Sequence, residues 1–120
     1  MSRKRKSAGQ KGAPRLLEEL RTAGGLRTAD VANILSVSIS SISEWDAGKI
    51  QPQPGNGLTL SRLHYLVGRL RDYYAPDEVR AWLYARHPQL NRERAIDLIH
   101  EDRTVEILEM IARLDDGAFV

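Results

Sequence analysis

From Leu58 onward the apolar residues Leu60, Leu63, Leu66, Val67, Leu70, Tyr73 and Tyr74 recur three and four positions apart, the spacing at which side chains share one face of an α-helix. A strand would bury every second residue, and this segment does not alternate. Arg62, Arg69 and Arg71 take the other positions, so the helix is amphipathic and must lie against a core. The same rhythm runs through the rest of the chain in shorter pieces, each cut off by proline or glycine. Leu16, Leu17 and Leu20 follow Pro14, which suits a helix's first turn, and stop at Gly24-Gly25. Thr28 reads as an N-cap, with Asp30 in the first turn where the helix dipole favours a carboxylate, and Val31, Ala32 and Leu35 supply one face up to Ser36. Ser38 caps a third helix carrying Ile39, Ile42 and Trp45, and Gly48 terminates it in a left-handed conformation. Pro52, Pro54, Gly55 and Gly57 mark a linker. A further helix starts at Pro76 and is ended by Pro88, and two short ones follow over 92–100 and 104–114, closed by Gly117. Strand-like alternation bounded by hairpin turns is absent, so the expected fold class is all-α.

At 120 residues the chain can build one core, not two independent ones, which implies one structural unit with two functional halves. Hydrophobic residues at 42% suit a folded chain, whereas Met1 to Ala13 has no apolar period and reads as a disordered arm. The sequence contains no cysteine, which excludes disulfides, thiolate metal sites and a cysteine nucleophile. It also contains no apolar run of the roughly 20 residues that a membrane span needs. The expected location is cytoplasmic, away from membranes.

The net charge of +2 hides an uneven distribution. Arg3, Lys4, Arg5, Lys6, Lys11 and Arg15 precede the first acid, Glu18. From Asn91 onward four arginines face eight acids, leaving that end net negative by four. Two ends of opposite sign suggest two different partners. The basic arm alone suits a solvated tail as well as a DNA contact.

The helices across Ser36-Val37-Ser38 can pack as a pair only if defined positions are apolar or small. Val31, Leu35, Val37, Ile42 and Trp45 are apolar there, and Ala32 is small where the helices must approach closely. The stretch TADVANILSVSISSISEWDAGK, ending in a Trp and a Gly followed by Pro, resembles the Xre-type helix-turn-helix family, with Ser36 where relatives often have Gly. The resemblance implies that the third helix enters the major groove of operator DNA. Ser38, Ser40, Ser41, Ser43, Glu44 and Lys49 would then face bases and phosphates, with Arg3, Lys4, Arg5 and Lys6 on the backbone. Before Lys49 this helix has none of the side chains that make strong bidentate base pairings, so affinity should lean on phosphate contacts and fall steeply with salt.

Farther on, Trp82-Leu83, Pro88-Gln-Leu90, Ala95-Ile-Asp-Leu98-Ile99, then Val105, Leu108, Ile111 and the ending Asp116-Gly117-Ala118-Phe119-Val120 look like the toxin-binding region of Xre/MbcA/ParS-type antitoxins. That family binds a RES-domain toxin that consumes NAD, shields its active site, and represses its own operon as a homodimer or a toxin–antitoxin hetero-oligomer. By this likeness Trp82, Gly117, Ala118, Phe119 and Val120 belong to the toxin contact; from composition alone the last residues read as a frayed end. Val105, Ile107, Leu108, Ile111 and Leu114 cover more than one narrow stripe, so another chain, toxin or second copy, is expected to cover part of this helix. Glu101, Asp102, Glu106 and Glu109 form either a solvated face or the complement of a basic toxin entrance.

No catalytic constellation can be assembled. His64, His87 and His100 make no helical ligand pair, Gly55-Asn56-Gly57 lacks the setting of a phosphate loop, and Asp115-Asp116 flank a helix end. The expected protein is therefore not an enzyme and needs no metal or cofactor. It divides into a basic arm (1–13), a helix-turn-helix DNA-binding domain (14–74) and a helical toxin-binding or oligomerisation region (75–120). The alternative function is a stand-alone helix-turn-helix transcriptional regulator whose C-terminal helices serve dimerisation.

Overall fold

A computed structural model of the chain describes residues 12–117. The expected contacts Arg3, Lys4, Arg5, Lys6, Ala118, Phe119 and Val120 lie outside the described residues. Among those described, seven α-helices follow one another: α1 (Ala13–Gly24), α2 (Thr28–Leu35), α3 (Ile39–Asp46), α4 (Pro54–Leu70), α5 (Pro76–Tyr84), α6 (Ala95–His100) and α7 (Thr104–Asp115). The all-α expectation holds, with one small addition. Strands β1 (Arg86–His87) and β2 (Glu93–Arg94) form a two-residue antiparallel hairpin around a 3-10 turn at Pro88–Leu90. The expected helix over 92–100 thus begins later, at Ala95, because Glu93 and Arg94 are used in pairing.

The long helix α4 is central and touches α1, α2, α6 and α7. Its face Leu60, Leu63, Leu66, Val67 and Leu70 is buried, as the spacing predicted. Leu17 and Leu20 of α1, Val79 and Leu83 of α5, Leu98 and Ile99 of α6, and Ile107 and Ile111 of α7 join it in one continuous cluster. Residues on either side of position 75 therefore share a core.

Three boundaries differ from expectation. The linker is shorter than its composition suggests, because α4 opens at Pro54 and takes Gly55 and Gly57 into its first turn. Proline fits there since a first-turn amide has no helical partner in any case. Tyr73 and Tyr74 lie beyond that helix, in the turn that leads to α5. Thr28 is already helical, and Arg27 occupies the cap position with extended backbone. The Arg27 amide donates to Asp30 Oδ2 at 2.8 Å, so the carboxylate reaches back over the helix start.

Gly25 ends α1 with φ 63°, and its amide donates to the Arg21 carbonyl. A Cβ there would stand 2.9 Å from the Pro76 carbonyl oxygen, so the start of α5 rests directly on this glycine.

Candidate functional site

The turn between α2 and α3 is left-handed at Ser36, with φ 59° and ψ 46°. This is the geometry glycine would adopt without cost, and here serine holds it. The Val37 amide donates to the Ala32 carbonyl at 3.0 Å, closing the end of α2. At the start of α3, Ser38 Oγ accepts from the Ser41 amide at 3.0 Å and lies 3.0 Å from the Ser41 hydroxyl. Beneath α3, Ile42 is 1% and Trp45 5% exposed, while Val37 is half-buried against the same core.

This anchoring turns Ser40, Ser43 and Glu44 outward, with Ser38 exposed at the cap and Ser41 half-buried. Lys49 follows Gly48, which has φ 74°, and its amide donates to the Glu44 carbonyl. The six described residues expected at the DNA surface thus sit on one short helix and the turn that follows it. Two of the six are partly committed, since Ser38 and Ser41 hold the cap. Ile39 was expected among the apolar residues carrying the helix, yet it is 55% exposed. Successive residues turn by about 100°, so a spacing of three leaves each apolar side chain about 60° away from the last. Ile39 therefore falls outside the stripe centred between Ile42 and Trp45.

Besides this apolar packing, the pair is tied to α5 by a buried carboxylate that the sequence did not single out as one. Asp30 is 5% exposed and receives Arg80 Nε at 3.1 Å, Arg80 Nη2 at 2.9 Å and the Tyr84 hydroxyl at 2.6 Å. Burial alone would raise its pKa; the hydrogen bonds from Arg80, Tyr84 and the Arg27 amide outweigh that and hold it at about 2. Tyr84 answers in the opposite sense, pushed up to about 12 by burial and by its bond to the carboxylate. The Arg80 guanidinium also lies 4.8 Å from the centre of the Tyr84 ring.

In the C-terminal half, Trp82 is only 8% exposed, and its ring lies 4.3 Å from that of His87. His87 Nε2 donates to the Trp82 carbonyl at 2.8 Å, tying the hairpin to the end of α5. Arg103 is clasped by Glu106, Glu93 and Glu101 at 2.9–3.0 Å, and these raise its pKa further above the ordinary guanidinium range. Asp102 pairs with Arg62, and Asp115 with Arg69 and Tyr73. Much of the excess acid at this end is thus answered from within the chain. Helix α7 buries Ile107, Met110 and Ile111 but turns Val105 outward at 65% exposure, with Leu108 half-buried beside it. These two, with Arg62, Tyr65 and Asp102, line a surface cleft of about 300 Å³. Gly117 is exposed, with φ 74°, at the end of α7.

Among the described residues, no group of three or more His, Asp or Glu side chains could hold a metal ion, and no helix is long and apolar enough to cross a membrane.

No family model matches the chain. It is 32% identical over 96 residues to a probable mycobacterial cidal antitoxin of Mycobacterium tuberculosis strain H37Rv, spanning 80% of this chain and 82% of that one. It is 27% identical over 96 residues to the mycobacterial cidal antitoxin MbcA of Mycobacterium bovis and of M. tuberculosis, spanning 85% of each. A chain in the crystal structure of the M. tuberculosis MbcT-MbcA toxin–antitoxin complex matches with a TM-score of 0.79 at 25% identity, over 90% of this chain and 96% of that chain.

Proposed function

The chain belongs to the family of MbcA-type antitoxins, and from that premise we propose that it neutralises the toxin of a two-gene pair and represses the operon encoding both. The observation that carries this reading is the match, over nine-tenths of the chain, to a chain of a solved toxin–antitoxin complex. The toxin is a RES-domain protein that consumes NAD, and residues 75–120 occlude its active site. Gly117, Ala118, Phe119 and Val120 supply the contact near the pocket, while Trp82 supports the surface from beneath through His87. The outward Val105, with the half-buried Leu108 beside it, favours a partner over α7, since apolar side chains grouped on one helix face gain from being covered.

The helices α2 and α3 act as a helix-turn-helix, with α3 in the major groove of the operator. Supporting this are the anchored Ile42 and Trp45 and the outward Ser40, Ser43, Glu44 and Lys49. The working form is a homodimer or a toxin–antitoxin hetero-oligomer, in the cytoplasm. It performs no catalysis; neutralisation is stoichiometric.

Co-expression of the full chain with the product of the adjacent gene tests the reading. The expected outcome is a stable complex, restored growth and restored cellular NAD. Operator binding without any such complex would instead establish a stand-alone transcriptional regulator whose C-terminal helices serve dimerisation.

A further inference from the structure

Helix α3 reads ISSISEWD and contains no Arg, Lys, Asn or Gln, the side chains that make strong paired hydrogen bonds to guanine or adenine. Its hydroxyls discriminate weakly, because serine can donate to or accept from several base edges. The feature that stands out is Ile39, a large apolar side chain 55% exposed at the first position of the helix, beside Ser40 and one turn before Ser43. It contributes nothing to the core; α3 is anchored by the buried Ile42 and Trp45 and by the Arg21–Asp46 ion pair. Nor can it be drawn inward by fraying, since the Ser38 hydroxyl fixes the start of the helix through the Ser41 amide. Branching at Cβ further restricts its rotamers, so the exposed methyl groups have a defined position.

In the major groove one base edge offers an apolar contact, the 5-methyl group of thymine. We propose that Ile39 is a specificity-determining residue, reading thymine in the operator by packing on its methyl group. The proposal rests on the DNA-binding reading above and deepens it.

The test begins with a duplex enriched from a randomised library by the full chain. Each thymine in that duplex is then replaced singly by deoxyuridine, which removes the methyl group and leaves the base-pairing groups unchanged. At one position in each half-site the replacement should weaken binding about fourfold, the equivalent of one buried methyl group. The variant Ile39→Ala leaves the cap and the buried anchors in place, as an unaltered thermal transition would verify, and should bind the thymine and uracil duplexes equally. Indifference of the unmodified protein to uracil at every position overturns the inference, as does an Ile39→Ala variant that keeps the preference. Either result leaves DNA binding itself standing. Failure of any duplex to be enriched overturns the DNA-binding reading, and the assignment of Ile39 with it.

Discussion

Arg80 grips the buried carboxylate of Asp30 with two nitrogens, at 3.1 and 2.9 Å, across fifty residues of chain. The pair joins α2, which leads into the outward serine helix, to α5, which leads into the C-terminal half. Replacing Arg80 by Met would leave that carboxylate buried with only Tyr84 and one backbone amide. Removing one partner of a buried pair typically costs about 3–5 kcal/mol, and since the Arg80 side chain is 36% exposed, water softens the penalty to about 2 kcal/mol. Urea unfolding of the full chain checks this. The double variant Asp30→Leu/Arg80→Met should recover most of the deficit, because no charge is then left stranded.

The same carboxylate sets an acid limit. Its pKa is about 2 in the folded chain against an ordinary value of 3.8, so folding is favoured by the ionised form. That contribution is complete above about pH 4 and disappears as the pH falls through 2, amounting to about 2 kcal/mol. Asp30→Asn should therefore flatten the stability curve in that window by about this amount, leaving the slope due to Asp97 and the other paired acids. Tyr84 acts at the other end: raised from 10.0 to about 12, it contributes stability below pH 10 that is lost as the pH climbs toward 12. Tyr84→Phe should remove that alkaline slope. Thermal melts across both pH ranges provide the measurement.

Two left-handed positions give opposite substitution effects. Ser36 holds φ 59°, which costs a non-glycine residue about 1–2 kcal/mol, and its side chain is exposed. Ser36→Gly should therefore stabilise the chain by roughly 1 kcal/mol, after the added freedom of the unfolded chain is subtracted. Gly25→Ala should destabilise it by about 2 kcal/mol or more, since strained backbone combines with a Cβ 2.9 Å from the Pro76 oxygen. Chemical denaturation midpoints of the two variants should move in opposite directions.

These residues also mark where sequence reading reaches its limit. The apolar periods of α1 and α4 are local signals, and the buried faces of both helices lie where those periods put them. Ser38 was legible as a cap for the same reason: cap and recipient amide are three residues apart. Asp30 was legible only as a first-turn carboxylate, because nothing near it in the chain points to Arg80 or Tyr84. The hairpin of Arg86–His87 with Glu93–Arg94 escaped because two-residue strands cannot display alternation. Gly55 and Gly57 misled in the opposite direction, since the core contacts of Leu60 and Leu63 hold α4 together through a poorly disposed first turn. The exposure of Ile39 needed the packed positions of Ile42 and Trp45 before it could be read.

The proposed division of labour between the two ends predicts separable defects. Removing Gly117, Ala118, Phe119 and Val120 takes away no side chain of the described core, so the chain should still fold cooperatively. Neutralisation of the toxin should be impaired, while operator affinity should stay within about twofold, because α3 is untouched. Growth rescue and DNA binding, measured on the same truncated protein, separate the two. Full rescue by the truncated chain would remove these four residues from the toxin contact.

Deleting Ser2 to Lys11 examines the other end. The deletion removes five cations, Arg3, Lys4, Arg5, Lys6 and Lys11. Each cation that neutralises a phosphate releases condensed counterions, so the slope of log affinity against log salt should become shallower by about 0.9 for every phosphate no longer neutralised. If all five touch the backbone, the slope changes by about 4.5, and affinity falls most at low salt, where counterion release contributes most. The outward residues of α3 include no Arg or Lys, so the arm should carry most of this salt dependence, with Lys49 supplying much of the remainder. Titrations at several salt concentrations decide the matter: an unchanged slope would place the arm off the DNA and leave backbone attraction to Lys49 and the charges of the folded body.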